Sequence, residues 1–231
     1  MRNLFVSLLF LFVLTACTPT PRLVEHPDPE LKANTTFFAD LGCFSDTGCQ
    51  SKLPAWPHGE FSMVEEPRES LGGLDPALPI AMLWTFSSEP DPSIPAIFSG
   101  SCAFSHYYTY LVYRDGKIEN LTSREEFQRV FAPIESKNEA LGYAVALTGY
   151  RAVYNLESIK GIEIRTPMLH ETYVRKVKGG YVVHLFDFFL CHCGPFYINS
   201  VDVTVYRDGT LDIADPVEAY RNPADDMSCI D

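Results

Sequence analysis

Several signatures of catalysis are missing from the sequence. It has no G-x-S-x-G motif for a serine nucleophile and no glycine-rich loop of the kind that cradles phosphates. It also lacks the paired C-x-x-C ligands, with a second pair further along the chain, that mark structural zinc sites. The sequence therefore presents no positive case for an enzyme, and it predicts no cofactor.

Positive charge is scarce as well. The 231 residues include 18 Lys and Arg against 30 Asp and Glu, for a net charge of −12. Phosphates repel such an acidic chain, which argues against nucleic acid as a partner and against a domain that lies flat on an anionic membrane. With 46% apolar and 13% aromatic residues, the chain is nevertheless predicted to be globular.

The one long apolar run stands at the N-terminus, within residues 1–16. Leu4 to Leu14 follows a short basic start, is too short to span a bilayer as a helix, and suits a signal peptide. The run ends in Leu-Thr-Ala-Cys17, which resembles the lipobox of bacterial lipoproteins. The resemblance implies cleavage before Cys17, a diacylglyceryl thioether on its sulfur and acylation of the new amino group.

The lipobox resemblance also implies a location. Two or more acyl chains hold a protein stably on a membrane, so the mature chain, Cys17 to Asp231, is expected to be anchored in the bacterial cell envelope. Thr18 stands where the inner-membrane retention signal of the family is an Asp, which favours the outer membrane. Residues 17–36 are rich in proline and lack an apolar period. They are predicted to form an extended tether that contributes nothing to the core.

The remaining cysteines predict a set of disulfides. An even number of cysteines in an exported chain is typical of a disulfide framework. Here they are Cys43, Cys49, Cys102, Cys191, Cys193 and Cys229. The first two are close in sequence and are expected to pair locally. Cys191 and Cys193, on an extended strand, would have Cα atoms roughly 6.5–7 Å apart, at or beyond the usual limit for a bridge. They are therefore predicted to bond to Cys102 and Cys229, in either combination.

The tripeptide Cys191-His192-Cys193 leaves a second interpretation open. Together with His184, and with His106 as a further candidate, these side chains would supply metal ligands, or the two thiols would act as a redox pair. On a strand, however, positions 191 and 193 face one side and position 192 faces the other. Structural disulfides are therefore preferred, no metal is expected, and a metal or thiol site remains the alternative.

Residues 37–231 are predicted to form one domain with three parts. Residues 37–100 carry many prolines and are expected to form a loop-rich wrap with short strands, such as Ile80 to Phe86. Residues 101–213 have regular patterns and are expected to build the core. Residues 214–231 are expected to form an acidic, loop-like tail.

Two helices and three strand pairs are predicted within that core. Ser-x-x-Glu capping boxes at Ser123 and Ser136 open the helices, and Gly149 is expected to cap the end of the second. Strand pairs are expected around Gly179-Gly180 and around Asp-Gly turns at 115–116 and 208–209. The similar octapeptides at 112–119 and 205–212 are explained by the shared need for this turn.

Residues 134–213 resemble a PepSY-type module. The resemblance rests on a helix opened by a Ser-x-x-Glu box containing "EAL" and on a last strand pair closed by an Asp-Gly turn. It implies an α+β layout of a helix on a curved antiparallel sheet. With the helix predicted at Ser123, the chain is expected to have an α+β fold with two short helices packed on a curved antiparallel sheet. Modules of this type are extracytoplasmic binding or regulatory domains, some of them linked to peptidase inhibition. The Cys-His-Cys tripeptide and the long segment 150–170 depart from the pattern.

Two classes of function follow. The preferred one is a non-enzymatic envelope lipoprotein whose disulfide-bonded domain binds another envelope component, expected to be a protein, with a regulatory or inhibitory role as one option. The alternative is an envelope enzyme, or a thiol- or metal-binding protein, that uses residues 191–193.

Overall fold

The computed structural model describes residues 20–45, 48–49, 53, 61–101, 104–188, 192–226 and 229–230. In this part of the chain, helices and curled antiparallel sheets form an α+β fold, which confirms the predicted class. The helices are α1 (Thr36–Asp40), α2 (Arg124–Phe131) and α3 (Lys137–Thr148). Within these ranges, no helix has the length and apolar character that crossing a membrane requires.

The first large sheet is built around one long strand. Its strands are β2 (Phe61–Glu65), β3 (Ile80–Ser87), β4 (Phe98–Ser101), β5 (Ser105–Arg114) and β6 (Lys117–Leu121). β5 pairs with β3 along one edge, and with β4 and then β6 along the other edge. β2 extends the sheet beyond β3. The β5–β6 turn is the expected Asp-Gly turn, with both residues at positive φ.

The second large sheet has β10 and β12 at its centre. Its strands are β7 (Glu163–Ile164), β9 (Tyr173–Val177), β10 (Gly180–Asp187), β12 (Tyr197–Tyr206), β13 (Leu211–Ile213) and β14 (Val217–Arg221). β9 and β10 form a hairpin, and β13 and β14 both pair with β12. β14 belongs to the region expected to be a loop-like tail, so that expectation is wrong for these five residues.

Two small sheets complete the described strands. β1 (Arg22–Val24) pairs in parallel with β8 (Met168–His170). β11 (His192–Cys193) pairs in antiparallel fashion with β15 (Cys229–Ile230). Both join parts of the chain that are distant in sequence.

Both predicted helices begin at their capping boxes. The Ser123 hydroxyl accepts a hydrogen bond from the backbone N–H of Glu126, and the Ser136 hydroxyl accepts one from that of Glu139. α3 ends at Gly149, whose φ of 72° is the left-handed conformation that glycine adopts without strain. The local signals at both ends therefore set the helix boundaries.

α3 lies at the centre of the molecule. Residues 140–147 are all buried, as is typical of a helix that is apolar on every side. It lies against β9, β10 and β12 on one side and against the 3-10 helix Glu69–Gly73 on another. One hydrophobic core contains side chains of α2, α3 and both large sheets.

Residues 37–100 are more than a wrap. They supply β2, β3 and β4, and β3 lies between β2 and β5 in the first sheet. The described prolines of this region fall in the connections between strands, where a missing N–H costs no ladder hydrogen bond. The other face of the sheet contacts α1 and the loop that contains Cys43 and Cys49.

The described part of the predicted tether lies against the domain. β1 pairs with β8, and Leu31 and Ala33 contact the main core. A Cβ placed at Gly72 would stand 2.2 Å from the carbonyl oxygen of Lys32, so the two backbones approach as closely as only glycine permits. The expectation that these residues contribute nothing to the core is wrong from residue 20 onward. Their partners are distant in sequence and leave no periodic pattern.

Candidate functional site

The predicted local disulfide is present. Cys43 and Cys49 are bonded to each other, and both are buried in the cluster under the first sheet. This bond closes the short loop after α1 and confirms the expected pairing of these two cysteines.

The other predicted cysteine sites are only partly covered. Cys17, Cys102 and Cys191 lie outside the described residues. The backbone of Cys193 lies directly opposite that of Cys229 in the β11–β15 pair. Cys193 therefore stands beside one of the two partners that the sequence proposed for it.

His184, one of the alternative metal ligands, is held by a carboxylate. Its Nδ1 lies 2.6 Å from Oδ1 of Asp202, and its ring stacks on Tyr173 with centroids 5.1 Å apart. Among the described residues, no three His, Cys, Asp or Glu side chains converge as a metal site would require. The structure thus places His184 in an aromatic and polar cluster on the second sheet.

Two further histidines join this cluster. Nε2 of His26 lies 3.3 Å from Nδ1 of His170, so one of these nitrogens must carry the shared proton and the other must be unprotonated. The backbone N–H of His26 also donates to Glu171, whose carboxylate is 2% exposed and accepts a second hydrogen bond from Leu156 N. The cluster thus fixes the N-terminal segment after β1 to the second sheet.

A cleft beside this segment is the strongest candidate for a binding site. It has a volume of about 480 Å³ and lies between the N-terminal segment, the 3-10 helix Glu69–Gly73 and residues 151–154. Its lining includes two arginines, two acids and a tyrosine, namely Arg68, Arg151, Asp28, Glu69 and Tyr154. The volume falls within the usual range of small-molecule and cofactor pockets.

Arg68 is positioned by the end of α3. Its Nη1 donates to the carbonyl oxygens of Gly149 and Tyr150, where the helix dipole favours a cation. Burial lowers the pKa of this half-buried guanidinium, and the charge of Arg151 lowers it further, against an opposing contribution from Tyr110. Among the described residues, no carboxylate lies within ion-pair distance of Arg68.

Arg151 enters the cleft from the segment after α3. Its backbone forms a bridge with Phe186 at the edge of β10, and its guanidinium carbon lies 5.1 Å from the ring centroid of Phe188. In the ranges that the structure covers, this exposed guanidinium also has no ion-pair partner. Arg68 and Arg151 therefore line one cleft, and neither forms an ion pair with a described residue.

Tyr154 and Asp28 are further polar groups in the lining of the cleft. Burial raises the pKa of Tyr154, and the charges of Asp28 and Glu171 raise it further, so its hydroxyl stays a neutral donor at physiological pH. Asp28 accepts a hydrogen bond from the backbone N–H of Glu30 at 2.9 Å, which holds its carboxylate in a turn. The lining of the cleft thus combines two cations with a hydroxyl and two acids.

Sequence reasoning did not find this cleft. Arg68 and Arg151 are far apart in the chain, lie in segments without a motif, and are two ordinary arginines among many. The only available hint was their positive charge, since basic residues are outnumbered by acidic residues in this chain. The third wall comes from a segment that the sequence predicted to be a free tether.

Comparisons with known proteins identify no relative. No protein-family model, curated protein or solved structure matches the chain.

Proposed function

We propose that this protein is a non-enzymatic lipoprotein of the bacterial cell envelope, anchored through Cys17, whose extracytoplasmic domain binds another envelope component, a protein, in the arginine-lined cleft. The observation that carries the proposal is the pair of guanidinium groups, Arg68 and Arg151, in a cleft of about 480 Å³ without a carboxylate partner among the described residues. Arg68 is half-buried and has no counter-charge among the described residues, which is costly, and a ligand with complementary charge offsets that cost.

The position of β1 supports a function close to the membrane. Only five peptide steps separate Cys17 from Arg22, the first residue of β1. An extended chain of that length reaches at most about 18 Å. A lipid on Cys17 would therefore hold the domain near the bilayer surface, with the segment that lines the cleft close to the anchor.

Anchoring is tested by Cys17→Ala in cell fractionation. We expect the variant to appear as an unprocessed or soluble species, because the lipid attaches to this sulfur. A variant that stays membrane-bound with unchanged mobility would show that the lipobox interpretation is wrong. Separation of inner and outer membranes then tests the proposed outer-membrane location.

Binding is tested with the exported chain from residue 18 onward, added to washed envelopes. We expect saturable retention that Ser70→Trp abolishes, because Ser70 lines the cleft and a tryptophan there would fill it. Lys117→Trp is the matched control, since Lys117 is exposed at the β5–β6 turn. Equal retention of both variants would remove the cleft from the proposal. Protease treatment of the envelopes should abolish retention if the partner is a protein.

A further inference from the structure

We infer that the cleft recognises an anionic group, a carboxylate or a phosphate, and binds it between the guanidinium groups of Arg68 and Arg151. The inference rests on the proposed function, in that it assumes the cleft to be the binding site, and it adds the chemical class of the ligand. Three observations support it: the cleft itself, the two guanidinium groups that line it, and the N–H donors of these groups that bind no described residue.

The structural roles of the two arginines leave most of their donors unused. The bonds from Arg68 to the end of α3 involve Nη1 alone. Its Nε and Nη2, and all the guanidinium N–H groups of Arg151, make no hydrogen bond to any described residue. Guanidinium groups bind carboxylates and phosphates through two parallel N–H donors. Both arginines therefore retain the edge that such an anion requires.

The immediate surroundings of the arginines also favour an anion. Two like charges in one cleft raise each other's energy, and an anion between them removes that repulsion. The hydroxyl of Tyr154, kept protonated by burial, supplies a further donor in the same cleft. Neither guanidinium has an ion-pair partner among the described residues, although Lys and Arg are outnumbered 18 to 30 by Asp and Glu in this chain.

The two acids of the cleft restrict the rest of the ligand. Asp28 and Glu69 would repel a second negative charge placed beside them and would accept hydrogen bonds from N–H groups. A ligand that carries one anionic group and has amide or ammonium donors fits this arrangement. A short peptide segment with a terminal or side-chain carboxylate meets both conditions, and a phosphorylated segment shares the same anionic chemistry.

The test is a titration of the purified protein with inorganic phosphate and, separately, with acetate, at constant ionic strength with chloride as the reference anion. Binding is followed through the Nε–H resonances of the arginines and by calorimetry. We expect saturable shifts at Arg68 and Arg151. Arg151→Gln should weaken binding by about tenfold or more, the usual contribution of a hydrogen bond to a charged group. Arg151→Gln is chosen because Arg151 caps no helix, so the fold should tolerate the change.

Arg175→Gln serves as the matched control. Arg175 is an exposed arginine on β9 that does not line the cleft, and its replacement should leave the affinity unchanged. Preference for phosphate over acetate, or the reverse, identifies which anion the site selects. The absence of saturable shifts with either anion, or equal affinities of wild type and Arg151→Gln, would overturn the inference.

Failure of this inference is distinguishable from failure of the proposed function. If neither anion binds but envelopes still retain the chain in a Ser70-dependent manner, the cleft is a binding site with a different ligand chemistry. If the anions bind through Arg151 but envelopes do not retain the chain, the anion site stands and the envelope partner is wrong.

Discussion

Residues 123–148 and residues 20–35 contact the same hydrophobic core, but they are held there in opposite ways. α2 and α3 are capped by residues adjacent to them in sequence, and each helix buries its own apolar side chains. The N-terminal segment is irregular apart from β1. It is held by the pairing of β1 with β8 and by contacts with Glu171 and Gly72. The boundaries of the first region are set by local caps, whereas the position of the second depends on distant partners.

This difference distinguishes the structural framework of the protein from its candidate binding site. The helices and the strands that they cover form the framework. The cleft appears where the N-terminal segment is laid over it, and Asp28, Pro29 and Leu31 supply one wall. Loss of the segment would therefore remove the cleft while leaving most of the core. The following predictions test the two regions separately.

The largest effect is expected in the helical framework. Phe127 is fully buried in α2, with ring centroids 4.5 Å from Phe131 and 5.5 Å from Tyr143. Phe127→Ala should lower the free energy of unfolding by about 3–5 kcal/mol, because it leaves a cavity that the core cannot close. Denaturant unfolding measures this loss. Glu125→Gln on the exposed side of the same helix is the control, and a similar loss there would contradict the assigned packing.

The second prediction concerns the disulfide that would tie the C-terminus to the second half of the chain. Directly opposed residues of antiparallel strands have Cα atoms about 4.5–5.5 Å apart, inside the range of disulfides. Cys193 and Cys229 are such a pair, so they are predicted to be bonded. Cys102 and Cys191 then remain as the third pair. Replacing Cys193 and Cys229 by Ser should cost up to about 4 kcal/mol in the chain-entropy picture, and usually less.

Non-reducing peptide mapping checks this connectivity. A Cys191–Cys193 bridge would contradict the register-based assignment. Two free thiols at these positions in the native protein would favour the alternative function, a thiol or metal site at residues 191–193. Thiol titration before and after denaturation separates these two results.

The third prediction concerns the N-terminal segment. Gly72→Ala should lower the free energy of unfolding by about 1–3 kcal/mol, because its Cβ would collide with the backbone of Lys32. Gly100→Ala is the matched control, since a Cβ there would meet nothing within 4 Å. Hydrogen exchange should show faster opening of β1 in Gly72→Ala only. Equal stability of the two variants would restore the prediction of a free tether.

The smallest expected effect is a pH dependence of the same segment. Burial lowers the pKa of His170, and the nearby His26 and His184 lower it further, although Asp202 raises it. The unfolded chain therefore takes up a proton at about pH 6.5 that the folded chain still refuses. The stability contributed by this group is fully present above that pH and decreases as the pH falls toward the lowered pKa of the folded state.

Hydrogen exchange of β1 between about pH 7.5 and about pH 5.5 measures this effect around the ordinary pKa of histidine. His170→Asn should flatten the dependence, whereas His106→Asn, on the first sheet, should not. The measurement stays above the acidic range because Glu25 acts in the opposite direction there. Its hydrogen bond to Glu157 raises its pKa, so its contribution is present at low pH and lost as the pH rises.

The sequence predicted well wherever neighbouring residues carry the signal. The capping serines at 123 and 136, the C-cap at Gly149, and the hairpin turns at 115–116, 179–180 and 208–209 all lie at the boundaries of observed elements. Each reflects a local conformational preference of the backbone, and the tertiary structure is compatible with that preference. The close pairing of Cys43 with Cys49 is predictable for the same reason.

The predictions that were wrong concern segments whose structure depends on residues distant in sequence. Residues 37–100 were expected to wrap a core built elsewhere, because their many prolines suggested loops. The described prolines fall between the strands, and β3 is an interior strand of the first sheet. Likewise, β14 pairs with β12 although it is short and lies in an acidic tail. Propensity describes a segment alone, whereas strand formation depends on which other segment presents a free edge.

The sequence by itself determined the α+β class, the helix and hairpin boundaries and the local disulfide, because these depend on interactions between residues a few positions apart. It also contains the lipobox-like motif from which a lipid anchor at Cys17 is predicted. Only the tertiary structure decided that the N-terminal segment lies on the domain and that Arg68 and Arg151 share one cleft. Contacts between residues so far apart in the chain are selected by packing and backbone pairing in three dimensions, and no pattern within either segment encodes them.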